Sequence, residues 1–152
     1  MPMLEIKEVK DLNILDSLFN DPYVSKIGHD HAPLRVINHP SVKYLSARLN
    51  DEQVGAFMVV ESGFIEFDLH CMLSKKALPH SRDFAKLCLM WAFAHQHIQR
   101  VTAYVVEGLE SAANFCLKIG FKNEGTRRDA CMKNNKLVGV RILGMTRKDW
   151  GK

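Results

Sequence analysis

The stretch that decides the fold is Asn114 to Trp150, NFCLKIGFKNEGTRRDACMKNNKLVGVRILGMTRKDW. A short amphipathic helix runs into Gly120-Phe121, and Glu124-Gly125 then opens a strand. The Asn134-Asn135 turn returns that strand into a second, which closes on Met145-Thr146-Arg147 and Trp150. A helix followed by a long two-stranded hairpin therefore ends the chain.

Working back from that segment, Val101 to Val106 is a short apolar strand. Before it, Ser81 to His97 predicts a long central helix. Phe84, Leu87, Trp91 and Ile98 form one stripe and Leu89, Met90 and Phe93 fill its flank, a pattern that buries most of the helix. Three strands come earlier. Val42 to Leu49 and Val54 to Glu61 join at Asn50-Asp51-Glu52, and Ser62-Gly63 turns into Phe64 to Leu73. At the start, Leu4 to Val9 alternates as a half-buried strand does. Asp11 caps a helix carrying Leu12, Leu15, Leu18 and Phe19, which Pro22 ends. Tyr23 to Ser41, with His29, Asp30, His31, Pro33, His39 and Pro40, reads as a short helix and loops. The order is βααβββαβαββ. It predicts an α/β (α+β) chain, a mixed sheet with helices on both faces, with residues 1–152 as one domain.

A chain of 152 residues can bury roughly two thirds of its unfolded surface. Its 47% apolar and 25% charged residues are ordinary for a globular protein. No apolar run approaches the ~20 residues of a membrane span, and the N-terminus lacks the basic-then-apolar order of a signal peptide. The expectation is a cytoplasmic protein with no membrane partner. Four cysteines, Cys71, Cys88, Cys116 and Cys131, lack CxxC spacing and sit inside apolar patterns, so reduced thiols are expected. The net charge of +4 is mild, and Lys75-Lys76 and Arg127-Arg128 are local pairs. That suits an anionic small molecule as well as nucleic acid, and a nucleic-acid partner is not expected. His29-x-His31, His39 and His70-Cys71 match no common metal spacing, so no metal is expected.

The helix into Gly120-Phe121, the Glu124-Gly125 strand start and the closing Met145-Thr146-Arg147 and Trp150 together resemble the C-terminal third of the GNAT superfamily, the acyl-CoA-dependent N-acyltransferases. The branch that acetylates ribosomal-protein N-termini is the most similar. The element order is that of the GNAT fold, and the resemblance is strongest over Phe64 to Trp150. It implies acetyl-CoA as acyl donor and an amine acceptor, either a small molecule or a protein N-terminus. It also implies that the strands Phe64 to Leu73 and Val101 to Val106 run parallel and splay apart beyond about Cys71. In the family, the fourth strand leads into an Arg/Gln-x-x-Gly-x-Gly/Ala loop whose N–H groups, with the next helix, hold the cofactor's pyrophosphate. By that resemblance the backbone of Cys71, Met72 and Leu73 meets the cofactor, and Lys75, Lys76, His80, Ser81 and Arg82 face its phosphates.

The segment itself reads Leu73-Ser74-Lys75-Lys76-Ala77-Leu78-Pro79-His80-Ser81-Arg82, with no glycine between Gly63 and Gly108. Two readings compete there. In one, Pro79 opens the helix, the amides of His80 to Arg82 stay available for phosphate, and Lys75, Lys76 and Arg82 supply charge. In the other, Ser81 or Leu78 caps a plain helix start and the lysines are solvated. The Asp68-x-His70 strand, this loop and Gly125-Thr126-Arg127-Arg128 are also similar to GNAT-fold proteins of tailed phages, some described as head-assembly proteins. That likeness implies an alternative: a non-catalytic binding protein of virion assembly, partnered by a phage structural protein in the host cytoplasm.

Acetyl transfer needs a neutral amine, hence a proton acceptor, and a donor for the departing thiolate. Glu66, Asp68 and His70 alternate on one strand and so project from one face, opposite Ile65, Phe67, Leu69 and Cys71. Glu66 or His70 is the candidate base, directly or through a water, with Asp68 orienting His70. The plainer reading makes this face the wetter side of the sheet. Where many family members carry a tyrosine donor, four residues before the Gly-Phe pair, this chain has Cys116. A packing role is expected for it.

Overall fold

The computed structural model describes residues 1–26 and 34–151. His29, Asp30, His31 and Pro33 of the sequence reading lie outside the described residues.

Seven strands among the described residues form one sheet in the order β1-β2-β3-β4-β5-β7-β6. They are β1 (Leu4–Glu8), β2 (Val42–Leu49), β3 (Glu52–Gly63), β4 (Glu66–Leu73), β5 (Arg100–Val106), β6 (Lys122–Lys133) and β7 (Lys136–Thr146). Every neighbouring pair is antiparallel except β4 and β5, which run parallel. The helices are α1 (Asp16–Phe19), α2 (Pro22–Ser25), α3 (Ser81–Phe93), α4 (Glu110–Ile119) and α5 (Arg147–Trp150), with 3₁₀ turns over Leu12–Leu15 and Lys75–His80. This is the expected mixed sheet and element order, with α5 added at the end. No helix among the described residues is long and apolar enough to cross a membrane.

Two cores divide the sheet by face. Strand alternation sends Phe67, Leu69, Val101, Ala103, Leu143 and Met145 to one side, where Phe84, Cys88, Leu89, Ala92 and Phe93 of α3 and Ala113 of α4 meet them. The opposite side of β2 to β4, carrying Tyr44, Ala56 and Met72, is covered by Leu15, Leu18, Phe19 and Val24 of the first helical turns. The buried stripe of α3 is rotated from the expected one: Met90 is exposed while Ala85, Cys88 and Ala92 are buried. Small residues at that spacing let the helix axis approach the sheet.

Several boundaries differ from the sequence reading for identifiable reasons. The first helix splits because Asp21 caps the N–H groups of Tyr23 and Val24, so Pro22 starts α2 as well as ending what precedes it. β3 runs through Gly63, and Phe64-Ile65 rather than Ser62-Gly63 forms the turn into β4. The central helix stops at Phe93, four residues before His97. There the Arg147 guanidinium donates to the carbonyls of Phe93, His95 and Ile98 at 2.9–3.0 Å. The His95 Nδ1 also lies 3.0 Å from the Trp91 carbonyl at this helix end. At the final hairpin Asn134 and Asn135 take positive φ (52° and 63°), which short polar side chains tolerate better than most. Between Arg127 and Cys131 the β6 register slips past β7, and Arg128 with Asp129 leaves the ladder as a bulge.

Candidate active site

The sheet opens where β4 and β5 part. Their ladder runs from Glu66↔Arg100 to Leu69↔Ala103 and ends there. β4 continues to Leu73 along β3, through Leu73↔Gly55, while β5 continues to Val106 along β7, through Val106↔Val140. Each pair follows its own twist, so the two inner edges diverge and leave backbone groups without a strand partner on their facing sides. The gap expected beyond about Cys71 opens two residues earlier.

Alternation on β4 puts Glu66, Asp68 and His70 on the face shared with Met72, the face that α1 and α2 cover further along the sheet. The strand therefore brings the three titratable residues together as its pattern predicts. Their environments differ. Glu66 accepts from Arg100 Nε at 3.2 Å and from the Thr102 hydroxyl. Asp68 accepts the Ser62 hydroxyl at 3.1 Å. Burial pushes the Asp68 carboxyl above the usual range; the Ser62 hydrogen bond opposes this, Glu66 adds to it and Arg100 opposes it. His70 is half-buried beside them.

The partner strand supplies groups that the sequence reading did not single out. Arg100, Thr102 and Tyr104 alternate on β5 and face the same way as Asp68, because Val101, Ala103 and Val105 take the core side. Tyr104 is the first residue past the last ladder pair, at the mouth of the gap. Burial pushes its hydroxyl pKa up, and the charges of Asp68 and Glu66 add to this while Arg127 and Arg100 oppose it, so the phenol stays protonated. A signal was present, a Thr-x-Tyr alternation parallel to Asp68-x-His70, but only the strand order shows that the two face each other.

Cys71 lies on the cleft side of β4 and keeps exposed surface because the gap opens over it. Dense protein around the sulfur still pushes its thiol up to about 12, with burial the main cause and Cys116 a second one. Cys116 is half-buried against the α3 side of the core, and burial pushes it up to about 11. A thiol with so high a pKa is a poor proton donor and a poor nucleophile, so packing is its role.

At the end of β4 the chain forms neither of the two arrangements weighed from sequence. Lys75–His80 is a 3₁₀ helix with Pro79 inside it, and α3 begins at Ser81 with no side-chain cap from His80. The Ser81 N–H is bonded to the Leu78 carbonyl and the Ala77 N–H to the Ser74 carbonyl. Pro79 has none to offer. Part of the backbone cradle is thus consumed by the turn itself. The lysines are also engaged: Lys76 Nζ lies 2.9 Å from Glu52, and Lys75 Nζ sits 5.8 Å from the Tyr23 ring centroid. Both partnerships are exposed and weak enough to exchange. The β4 edge beyond Leu69 is open to an extended ligand. A diphosphate there would rest on the side chains of Lys75, Lys76, His80 and Arg82 more than on amides.

At the level of sequence, no family model and no curated protein matches the chain. Solved structures do. The spermidine N-acetyltransferase of Vibrio cholerae in complex with CoA and spermine superposes with a TM-score of 0.82 at 12% identity, covering 98% of this chain and 98% of that one. A point mutant of the same enzyme, SpeG, gives 0.81 at 12% identity over 98% and 96%. A second point mutant gives 0.80 at 11% over 97% and 95%. The identity is too low to carry residue roles across, and the likeness is one of fold. This chain has the fold of the GNAT N-acetyltransferases.

Proposed function

We propose that this protein is an acyl-CoA N-acyltransferase that moves an acetyl group from acetyl-CoA to a primary amine. The observation that supports the reading most is the gap between β4 and β5 with Asp68 and Tyr104 at its mouth: a carboxylate made more basic by burial beside a phenol held protonated. Acetyl-CoA, when bound, supplies the activated acyl group. The chain's own residues do the rest. Asp68 takes a proton from the acceptor ammonium, directly or through a water, and its raised pKa makes it a better acceptor than an ordinary aspartate. Tyr104 is the donor on the other side of the gap. His70, on the same face, completes a polar rim, and Lys75, Lys76, His80, Ser81 and Arg82 form the anionic end of the donor site. The backbone of Cys71, Met72 and Leu73 runs along the donor arm.

The acceptor class follows from the carboxylates. Asp68 and its neighbours present negative charge to an incoming ammonium, which suits a cationic amine better than an acidic one. A polyamine, such as the spermine in the complex of the structural neighbour, is accordingly the first to test. A small monoamine and a peptide with a free N-terminus complete the panel. Mixing the protein with acetyl-CoA and each amine, and following free CoA thiol, should show release that depends on the amine. Thiol release at the same rate without any amine, or none with the whole panel, would remove the reading.

One observation favours a second reading. The 3₁₀ turn that consumes the Ser81 and Ala77 amides suits a GNAT-fold protein that has given up the cofactor and acts by binding, as in phage particle assembly. Such a protein would take up no acetyl-CoA at any concentration.

A further inference from the structure

On β7, Gly144 lies opposite Thr102 of β5 and Lys122 of β6. A Cβ built there would crowd the Arg100 guanidinium and the Glu124 carboxylate, the movable ends of two long side chains, so one of them would have to shift. Its φ is not in the left-handed region. The glycine therefore leaves room for this pair where it stands, and its backbone conformation does not call for a glycine. Over this bare patch the Arg100 guanidinium pairs with Glu124 of β6 through two nitrogens, one at 3.3 Å. Its Nε reaches Glu66 of β4 at 3.2 Å and the Thr102 hydroxyl at 3.1 Å. One side chain on β5 thus ties β4 to β6 across β7, and its three partners are only about one third exposed or less.

The consequence falls on the two carboxylates of β4. Glu66 has the guanidinium and a hydroxyl on one oxygen. Asp68, two residues along and on the same face, is hydrogen-bonded to Ser62. We propose that Arg100, seated on Gly144, is a positioning residue that withdraws Glu66 from proton transfer and leaves Asp68 as the proton acceptor of the site. This rests on the acyl-transfer reading above and adds the division of labour within it.

The groups facing Asp68 set the direction of every expected change. Glu66 and His70 flank it on β4, Ser62 reaches it from the end of β3, and Arg100 and Tyr104 face it from β5, with Arg127 of β6 beyond Tyr104. An unpaired Glu66 about 7 Å along the strand would oppose ionisation of Asp68, and an absent Arg100 would no longer favour it. Arg100→Gln should raise the pH at which Asp68 ionises by about half a unit to one unit, and Gly144→Ala, whose methyl crowds the guanidinium, should move it in the same direction by less. Glu66→Gln should lower it, because a like charge is removed.

Two readouts test this in the full chain. The first is a carboxyl-carbon NMR titration with labelled aspartate, Asp68 assigned by its absence in Asp68→Asn. The second is the acid limb of kcat/KM, which should move with that titration: upward in Gly144→Ala and Arg100→Gln, downward in Glu66→Gln. The KM for acetyl-CoA should hold steady in all three. If Gly144→Ala fails to fold, the opposite shifts of Arg100→Gln and Glu66→Gln still decide. An unmoved Asp68 titration, or loss of transfer in Glu66→Gln with transfer kept in Asp68→Asn, would overturn the assignment. A wild-type protein that transfers to no amine would instead overturn the acyl-transfer reading beneath it, whatever the titrations show.

Discussion

At the scale of single residues, the two carboxylates of β4 look equivalent in sequence and are not equivalent in the fold. Asp68→Asn should lower kcat by roughly 10²-fold or more, the size expected when a proton acceptor is lost, with the KM for the acyl donor nearly unchanged in steady-state assays. Tyr104→Phe should lower kcat by a smaller factor, because a water can replace a phenol at an open mouth. Cys116→Ser should change neither constant by more than a few-fold, since its thiol packs against the core and is pushed up to about 11. The alternation Glu66, Asp68, His70 was legible because period-two patterning survives without any tertiary information. The ranking within it was not. It depends on Arg100, thirty-four residues from Glu66 along the chain, and on a glycine in β7 whose only sequence signature is an absent side chain.

At the scale of elements, the end of α3 and the start of α5 stabilise one another. Arg147 takes three carbonyls of the α3 terminus and the following turn, and Trp150 stacks on Phe93 with ring centroids 5.8 Å apart. Arg147→Ala should therefore cost about 2 kcal/mol, as buried carbonyls lose a charged donor, and a thermal melt should register a drop of several degrees. α5 is itself held by a capping box in which Thr146 and Asp149 satisfy each other's N–H groups. The Lys122 ammonium and then the Thr146 amide hold the Asp149 carboxyl down at about 2, against 3.8 when unfolded. A carboxyl depressed by folding adds stability that is complete above pH 3.8 and disappears as pH falls through about 2. The Tm difference between wild type and Asp149→Asn should accordingly be constant near neutral pH and shrink between those two values. A difference that stays the same all the way down that range would show that the stabilisation does not depend on ionisation of Asp149. Local patterning carries the central helix on to His97, because nothing near Phe93 in the sequence announces a guanidinium arriving from fifty-four residues away.

At the scale of the whole molecule, what the sequence revealed was order and alternation, and what it concealed was adjacency. The terminal hairpin and the β2–β4 meander follow from segments that can be read one at a time, whereas the parting of β4 from β5 was implied by the family resemblance. The arrangement β4-β5-β7-β6 then decides which faces meet. Through it, Tyr104 comes to the same face as Asp68 two residues past Asp68's partner Thr102, and Arg100 comes to lie over Gly144. The stretch from Ser74 to Arg82 was ambiguous for a different reason. Without glycine the chain can still turn, and it does so by forming a 3₁₀ helix that uses N–H groups the fold elsewhere could leave for an anion.

That trade defines the central claim, a donor site whose phosphate end is held by side chains. Relative to a micromolar cradle of amides, the loss of one or two hydrogen bonds to a charged group, each about 1.5–3 kcal/mol, weakens binding to roughly tens of micromolar or beyond. Charge–charge contacts that replace them fade as salt rises. Calorimetric titration of the full chain with acetyl-CoA at low and high salt tests this most directly, with Lys75→Ala/Lys76→Ala run beside wild type. The account predicts weak binding by wild type that falls as salt is raised and is lost in the double variant. No heat and no thermal shift with millimolar acetyl-CoA would contradict it and leave a GNAT fold that binds something else.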